Sequence, residues 1–137
     1  MVDLPIEDHK ELREMVRRVA AERVSKRADE IDRLGKYPQD MFELLRELGL
    51  FTLPFDKKYG GIGSILGSCI AIEELGRICY NTGYLLVVQW VPFGAILAGG
   101  SPYQQDKYLP GLADGSLRGA FSTTESQSGS DVSGIRT

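Results

Sequence analysis

The sequence predicts a mainly α protein, with an all-helical N-terminal domain over residues 1–115 and the first strand of a β domain within residues 116–137. Three observations predict this fold class. Apolar residues recur at three- and four-residue steps through most of the chain, which is the period of a helix. Gly and Pro stand where those helices would begin or end. After residue 115 the helical period stops and β-favouring residues follow.

The first two helices follow from the spacing of apolar residues. One begins at Ile6 and ends at Gly35, since Gly is common just after a helix. Its apolar face consists of Leu12, Met15, Val16, Val19, Ala20, Val24, Ala28 and Ile31. The second begins at Pro38, whose missing N–H costs nothing in a first turn, and ends at Gly49.

A loop and two more helices come next. The segment LPFDKKYGGIGS, residues 53–64, contains one Pro and three Gly and is predicted to be a loop. A third helix is expected over residues 64–80. The fourth, residues 82–100, is apolar almost all round, so we expect it to be buried on most sides. Pro92 should kink or split this helix.

The pattern changes after a short fifth helix. Ser101 to Gln104 match a capping box with Pro at the first helical position, and the helix should be short because Pro110 follows. The segment LRGAFSTT, residues 117–124, has aromatic and Thr residues without a helical repeat and is predicted to be a strand. Because one strand cannot satisfy its own backbone, we expect its sheet to lie outside this sequence.

Composition excludes several classes of protein. A net charge of −3 gives no basic face for nucleic acid, and the absence of a run of about 18 apolar residues predicts no membrane span. Cys69 and Cys79, ten residues apart with no CxxC pair, are expected to be buried thiols rather than a disulfide or metal site. The N-terminus has no signal-peptide core, which favours the cytoplasm.

Three catalytic motifs fail on spacing. In YGGIGSILG, Gly61 and Gly63 fit G-x-G-x-x-G but the third Gly position falls on Leu66 and no strand precedes it. Glu73 and Glu74 are adjacent in a helix, so their side chains diverge and cannot act as an acid–base pair. With His9 alone on a charged helix, no nucleophilic triad is indicated.

The stretch TTESQSGSD, Thr123–Asp131, has a stronger functional interpretation. Small residues let a flat or phosphorylated ligand approach the main chain, where hydroxyls and N–H groups can bind it. A Ser/Gly-rich hairpin turn or a flexible linker would have the same composition.

The chain resembles the N-terminal part of an acyl-CoA dehydrogenase. The family's T-E-x-x-x-G-S-D signature is matched by TESQSGSD, Thr124–Asp131, and the tail SGIRT resembles the family's G-[IL]-[KR]-T. Upstream, LGLFTLPFDKKYGGIG, EELGRI and QQDKYLPGLADGSLRGAFSTTE are similar to family segments in the same order. Many members have Pro where Ser126 stands here, which puts the turn geometry in question.

This resemblance implies a helical N-terminal domain, a small β domain and a C-terminal helical bundle, with FAD between them. Within these 137 residues we therefore expect only the start of the β domain and none of the C-terminal bundle. By position, the residues that contact FAD would be Phe121, Ser122, Thr123, Thr124, Gly129 and Ser130. Thr123 and Thr124 would lie at the pyrimidine side of the flavin ring, and Gly129 and Ser130 near its diphosphate. Ser130 would also lie next to the acyl-CoA.

The reaction implied is α,β-dehydrogenation of an acyl-CoA thioester to the trans-2-enoyl-CoA. The family's base is a Glu that would lie beyond Thr137, so no catalytic residue is assigned here and this chain alone is expected to be inactive. Tyr84, Val88, Gln89 and Trp90 are candidates for the acyl pocket, although each could equally be plain core. Their bulk favours short, branched or cyclic acyl groups.

The resemblance also implies an electron-transferring flavoprotein as acceptor and a homotetramer or dimer. Two alternatives stay open. The same scaffold could serve an acyl-CoA oxidase or a flavin-dependent monooxygenase, since these residues do not fix access of oxygen to the flavin. The chain could also be a non-catalytic helical module.

Overall fold

The computed structural model describes residues 5–137, and this part of the chain is mainly α, as predicted. Its α-helices are α1 Ile6–Val19, α2 Ser25–Leu34, α3 Gln39–Glu47, α4 Ile65–Gly76, α5 Tyr80–Gly99 and α6 Pro102–Ala113. A π-helical turn, Ala20–Val24, joins α1 to α2 without a break, so the first predicted helix is confirmed.

The core lies in two clusters. The larger is formed by α1 to α5, with Leu45, Leu75 and Leu86 fully buried, and α4 packs between α1 and α5. The smaller joins α6 and the loop before α4 to Phe93 of α5, and the ring centroids of Phe55 and Phe93 lie 4.0 Å apart. Trp90 contacts both clusters, and α5 is therefore the element that they share.

A buried ionic contact fastens α1 to α4. Glu74 is only 3% exposed, and it accepts hydrogen bonds from Arg13 Nη1 at 2.5 Å and from Arg17 Nε and Nη2 at 3.0 and 2.9 Å. Arg13 Nη1 also donates to Glu73 at 2.6 Å. The hydrogen bonds from Arg17 and then Arg13 lower the pKa of Glu74 to about 2. The two glutamates therefore hold the helices together.

The loop between α3 and α4 is confirmed, with two short 3-10 turns, Leu50–Thr52 and Lys57–Tyr59. Its chain doubles back, so that the Ser64 N–H donates to the Leu53 carbonyl at 2.7 Å. A Cβ on Gly61 would lie 2.0 Å from the Phe55 carbonyl oxygen, which explains the bare backbone there. The glycines of this segment serve the turn.

The helix ends agree with the predicted Gly and capping-box signals, but the helix expected over residues 64–80 ends at Gly76, and Tyr80 begins α5. Gly35 caps α2 in the left-handed region, at φ 59°, and both hydrogen bonds of the Ser101–Gln104 capping box are present. The prediction that this last helix stops before Pro110 is wrong, since α6 continues to Ala113. Pro110 leaves only the exposed Asp106 carbonyl without its helical donor, while the following turn buries two residues in the core.

Helix α5 differs from its prediction in two respects. It is continuous through Pro92, so it is not split. Only about a third of its most apolar window is buried, because no part of residues 5–137 covers its outer face. Of the described helices, α5 alone is long and apolar enough to cross a membrane, with a mean hydropathy of 1.4, but a core helix of a soluble protein meets the same test.

The strand predicted over residues 117–124 is not formed in the described part of the chain, where this segment has no regular secondary structure. A strand requires a hydrogen-bonded neighbour, and the described residues offer only an isolated bridge between Glu125 and Ser128. Both cysteines are free thiols. Cys79 is buried as predicted, but Cys69 is exposed.

Candidate functional site

The run Ala120–Thr124 is an exposed segment without regular secondary structure that follows the connector, residues 114–119, after α6. The side chain of Phe121 is 55% exposed. Among the residues that the structure describes, none donates a hydrogen bond to, or accepts one from, the backbone of this run. The run therefore presents unused N–H and C=O groups beside small hydroxyl side chains.

A turn follows this run and is closed by its own backbone. The Glu125 N–H donates to the Ser128 carbonyl at 2.8 Å, and the Ser128 N–H donates back at 3.2 Å. Ser128 is buried, and its hydroxyl donates to the Asp131 carbonyl. Gly129 and Ser130 are exposed just after the turn.

Glu125 ties this turn to the end of the described chain. Its carboxylate accepts the backbone N–H of Arg136 at 3.0 Å and that of Thr137 at 3.1 Å, together with the Thr137 hydroxyl. The Thr137 hydroxyl, the Arg136 N–H and the other donors lower the pKa of Glu125. A carboxylate held in this way is a poor proton acceptor. Its role here is structural, because it fastens the turn to residues 136 and 137.

An apolar groove of about 380 Å³ lies between α5 and this run. Tyr84, Val87, Val88 and Val91 form the side of the groove on α5, and residues 119–121 form the other. The 84, 87, 88 and 91 spacing places these side chains on one helical face. The groove can therefore take an apolar group that also contacts the free backbone of the run.

The structure brings together only some of the predicted site residues. Tyr84, Val88 and Phe121 line the same groove. The remaining candidates on the run and turn are exposed and are not shown to contact that groove: Ser122, Thr123, Thr124, Gly129 and Ser130.

Gln89 and Trp90 face other parts of the protein. The Gln89 side chain is 2% exposed, and its amide donates to the carbonyls of Leu112 and Leu117 at 2.9 and 2.7 Å. Trp90 Nε1 donates to the Phe51 carbonyl at 2.9 Å. Both side chains hold other segments of the chain in place, and neither lines the groove.

Arg118, which the sequence did not indicate, fixes the connector to α3 and the segment before it. Its guanidinium lies 4.4 Å from the Phe42 ring centroid and 5.0 Å from that of Tyr37, and it donates to Gln39 Oε1 at 2.5 Å. In the sequence, Arg118 is visible only as a lone Arg between apolar and Gly residues, and Gln89 only as a Gln inside a mostly apolar helix. Neither signal identifies a partner without the tertiary structure.

The run Ala120–Thr124 and the turn after it fit the flavin that the family resemblance implies. A planar ring that binds through hydrogen bonds needs backbone donors and acceptors that are not already used, and Ala120–Thr124 has them. At Gly129 even an added Cβ would meet nothing nearer than 4.0 Å, so the backbone is open to approach. The Ser and Thr side chains of the run and the turn are small, which leaves space for the rest of the cofactor.

Comparison with known proteins identifies the family of this chain. The family described as acyl-CoA dehydrogenase, N-terminal domain, matches residues 6–116. The probable acyl-CoA dehydrogenase YngJ of Bacillus subtilis is 36% identical over 92% of this chain and 34% of its own length. Cyclohex-1-ene-1-carbonyl-CoA dehydrogenase of Syntrophus aciditrophicus is also 36% identical, over 96% of this chain and 32% of its own.

Solved structures have the same fold. Butyryl-CoA dehydrogenase from Megasphaera elsdenii matches all of this chain and 37% of its own, with a TM-score of 0.85 and 26% identity. A chain from a structure of the electron-transferring flavoprotein of Acidaminococcus fermentans matches 98% of this chain and 36% of its own, with a TM-score of 0.83 and 28% identity. The chain thus spans about one third of the length of these relatives. It belongs to the acyl-CoA dehydrogenase family, whose N-terminal domain it contains.

Proposed function

We propose that this chain is the N-terminal part of an FAD-dependent acyl-CoA dehydrogenase that converts an acyl-CoA to the trans-2-enoyl-CoA. The observation that supports this most is the juxtaposition of the run Ala120–Thr124, whose backbone groups are unused, with the apolar groove on α5. A flavin ring needs the first feature and an acyl chain needs the second. Their contact would place the two reactants side by side.

The residues have separate roles in this proposal. Phe121 to Thr124 would hold the flavin ring, and Gly129 and Ser130 would lie near the diphosphate, with Ser130 also beside the acyl-CoA. When bound, the flavin supplies the acceptor for the hydride that leaves the β-carbon. The low pKa of Glu125 makes it unsuitable as the base. We assign the base to a Glu beyond Thr137.

The proposed substrates are short, branched or cyclic acyl-CoAs. Tyr84 and Val88 line the groove, and the Tyr84 ring stacks on that of Tyr80 with the ring centroids 5.5 Å apart, so the bulky Tyr84 side chain limits the space beside Val88. Relatives are named for cyclohex-1-ene-1-carbonyl-CoA and butyryl-CoA. Because Gln89 and Trp90 face away from the groove, this proposal rests on Tyr84 and Val88.

The remaining proposals concern partners and location. We propose an electron-transferring flavoprotein as the electron acceptor, which is supported by similarity to a chain in a structure of such a protein. A homotetramer or dimer, the cytoplasm and the absence of a membrane span are proposed from the family resemblance and the composition.

The test uses the protein made from the complete reading frame that contains these 137 residues. Purified protein should be yellow, and its oxidised-flavin band should bleach when butyryl-CoA or cyclohexanecarbonyl-CoA is added without oxygen. Long-chain acyl-CoA should bleach it more slowly. Rapid reoxidation in air without an electron-transferring flavoprotein would favour the oxidase or monooxygenase alternative. A colourless protein that takes up no FAD would contradict the proposal.

A further inference from the structure

The side chain of Gln89, on α5, makes hydrogen bonds to the connector and to the end of α6. Gln89 donates to the Leu112 carbonyl at the end of α6 and to the Leu117 carbonyl in the connector. Its Oε1 accepts the Gly119 N–H at 3.4 Å. One amide thus uses both of its N–H groups and its oxygen on the backbone that leads into Ala120–Thr124.

This arrangement is costly to build unless every hydrogen bond is made. Gln89 lies on a mostly apolar helix beside the buried Leu85, Leu86 and Phe93. Burying an amide there is unfavourable unless its polar atoms find partners, whereas an apolar side chain would carry no such cost. The Gln89 amide is therefore best explained by the backbone that it fixes.

Two other contacts hold the same connector. The Arg118 guanidinium stacks on Tyr37 and Phe42, which attaches the connector to the α3 region. Gly119 lies against Pro92 so closely that a Cβ would be 2.3 Å from Pro92 Cγ. Because residue 119 is already part of the groove wall, fixing it also fixes the distance between Phe121 and α5.

We propose that Gln89 is a positioning residue that holds Ala120–Thr124 against the α5 groove. This inference rests on the proposed function, because it takes that run to be the place where FAD binds. Gln89 would act through the backbone of residues 112–119 without touching the flavin. A run held in this way needs no ordering when the cofactor binds, so the cofactor should bind more tightly.

The test compares Gln89→Met with the wild type in the full-length protein. Met has a similar length and volume but cannot make the three hydrogen bonds. We expect FAD to bind about tenfold more weakly, measured by quenching of flavin fluorescence on the apoprotein. In the flavin-free protein, amide exchange at Leu117 should become about tenfold faster. That N–H donates to the Gly111 carbonyl, so its exchange reports the connector as a whole.

Gln105→Met is the matched control. The Gln105 amide also donates to two backbone carbonyls, of Leu97 and Gly100, but at the far end of α5. This variant should leave both FAD affinity and Leu117 exchange unchanged. If Gln89→Met does not fold, Arg118→Leu provides the second variant, because its half-exposed side chain holds the same connector. We expect it to change both measurements in the same direction.

The outcomes separate the two proposals. Unchanged Leu117 exchange or unchanged FAD affinity in folded Gln89→Met, or in Arg118→Leu where that variant replaces it, would overturn the positioning role. Equal effects of Gln105→Met would also overturn it, because they would show a general loss of stability. A wild-type protein that binds no FAD would contradict the proposed function, and faster Leu117 exchange in Gln89→Met would still support fixing of the connector.

Discussion

Glu74 carries a buried negative charge between α1 and α4. Two guanidinium groups reach it from α1, and its side chain is almost fully excluded from solvent. A buried carboxylate is tolerated when hydrogen bonds compensate for the lost hydration, and here both of its oxygens accept them. The arrangement makes the packing of the two helices dependent on pH.

Glu74→Gln is expected to destabilise the protein by about 2–3 kcal/mol at neutral pH. The pKa of Glu74 is about 2 in the folded protein and 4.5 in the unfolded reference. Its contribution is therefore fully present above about pH 4.5 and is lost as the pH falls towards 2. Urea unfolding at several pH values should show the wild-type advantage disappear over this range.

Glu73→Gln is the control for this prediction, because the Glu73 side chain is 56% exposed and, among the described residues, its ion pair is with Arg13 alone. Exposed ion pairs contribute about 0–1 kcal/mol. A Glu73→Gln variant as unstable as Glu74→Gln, or a Glu74→Gln deficit that persists at pH 2, would contradict this account.

At single residues, the sequence was most informative about which catalytic roles could be excluded. Adjacent glutamates on a helix could be excluded as a catalytic pair because their side chains diverge. Their actual partners, Arg13 and Arg17, lie about 60 positions away in the chain, and spacing carries no information over that distance. Gln89 could be only a candidate for the acyl pocket, with plain core equally open, since a helical face is visible in the sequence but the neighbour of that face is not.

Among the elements, the helices were predictable because their signals are local. Apolar spacing, Gly caps and a capping box each act within about one turn, and the structure has all three where predicted. The two internal prolines were harder to interpret, because a proline breaks a helix only when the lost hydrogen bond outweighs the packing of the following turn. In α5 and α6 the packing of the following turn outweighs the lost hydrogen bond.

Pro110→Ala is expected to stabilise the protein by about 1 kcal/mol, because it restores a donor for the Asp106 carbonyl at an exposed position. Pro92→Ala should give no such gain, since the Pro92 ring is buried against Gly119 and its removal leaves a gap. Thermal unfolding of the two variants tests this contrast. The interpretation fails if Pro110→Ala is the less stable of the two.

Two elements could not be predicted because they depend on what surrounds them. A strand exists only beside another strand, and the described residues supply no partner for residues 117–124. The apolar composition of residues 82–100 indicated burial on most sides, but Tyr84 and Leu97 are 47% and 46% exposed. Local sequence gives an element's preference, and its environment decides whether that preference is met.

For the whole molecule, the unused backbone and the exposed apolar face occur side by side. Both border the groove between α5 and Ala120–Thr124, in a chain that spans about one third of its relatives. The family could be predicted from a series of motifs in the correct order. The division into domains at residue 115 stays a prediction, although α6 ends at Ala113 and the family match at residue 116.

The most direct test is the FAD content of the full-length protein carrying Thr123→Pro or Ser126→Pro. Thr123→Pro removes a backbone N–H from the proposed flavin-binding run. Ser126 is the second residue of the Glu125–Ser128 turn, a position that favours Pro. We predict that the wild type and Ser126→Pro each purify with about one FAD per chain, and that Thr123→Pro purifies folded but colourless. Full FAD occupancy in Thr123→Pro, or none in the wild type, would contradict the assignment of this run to the flavin.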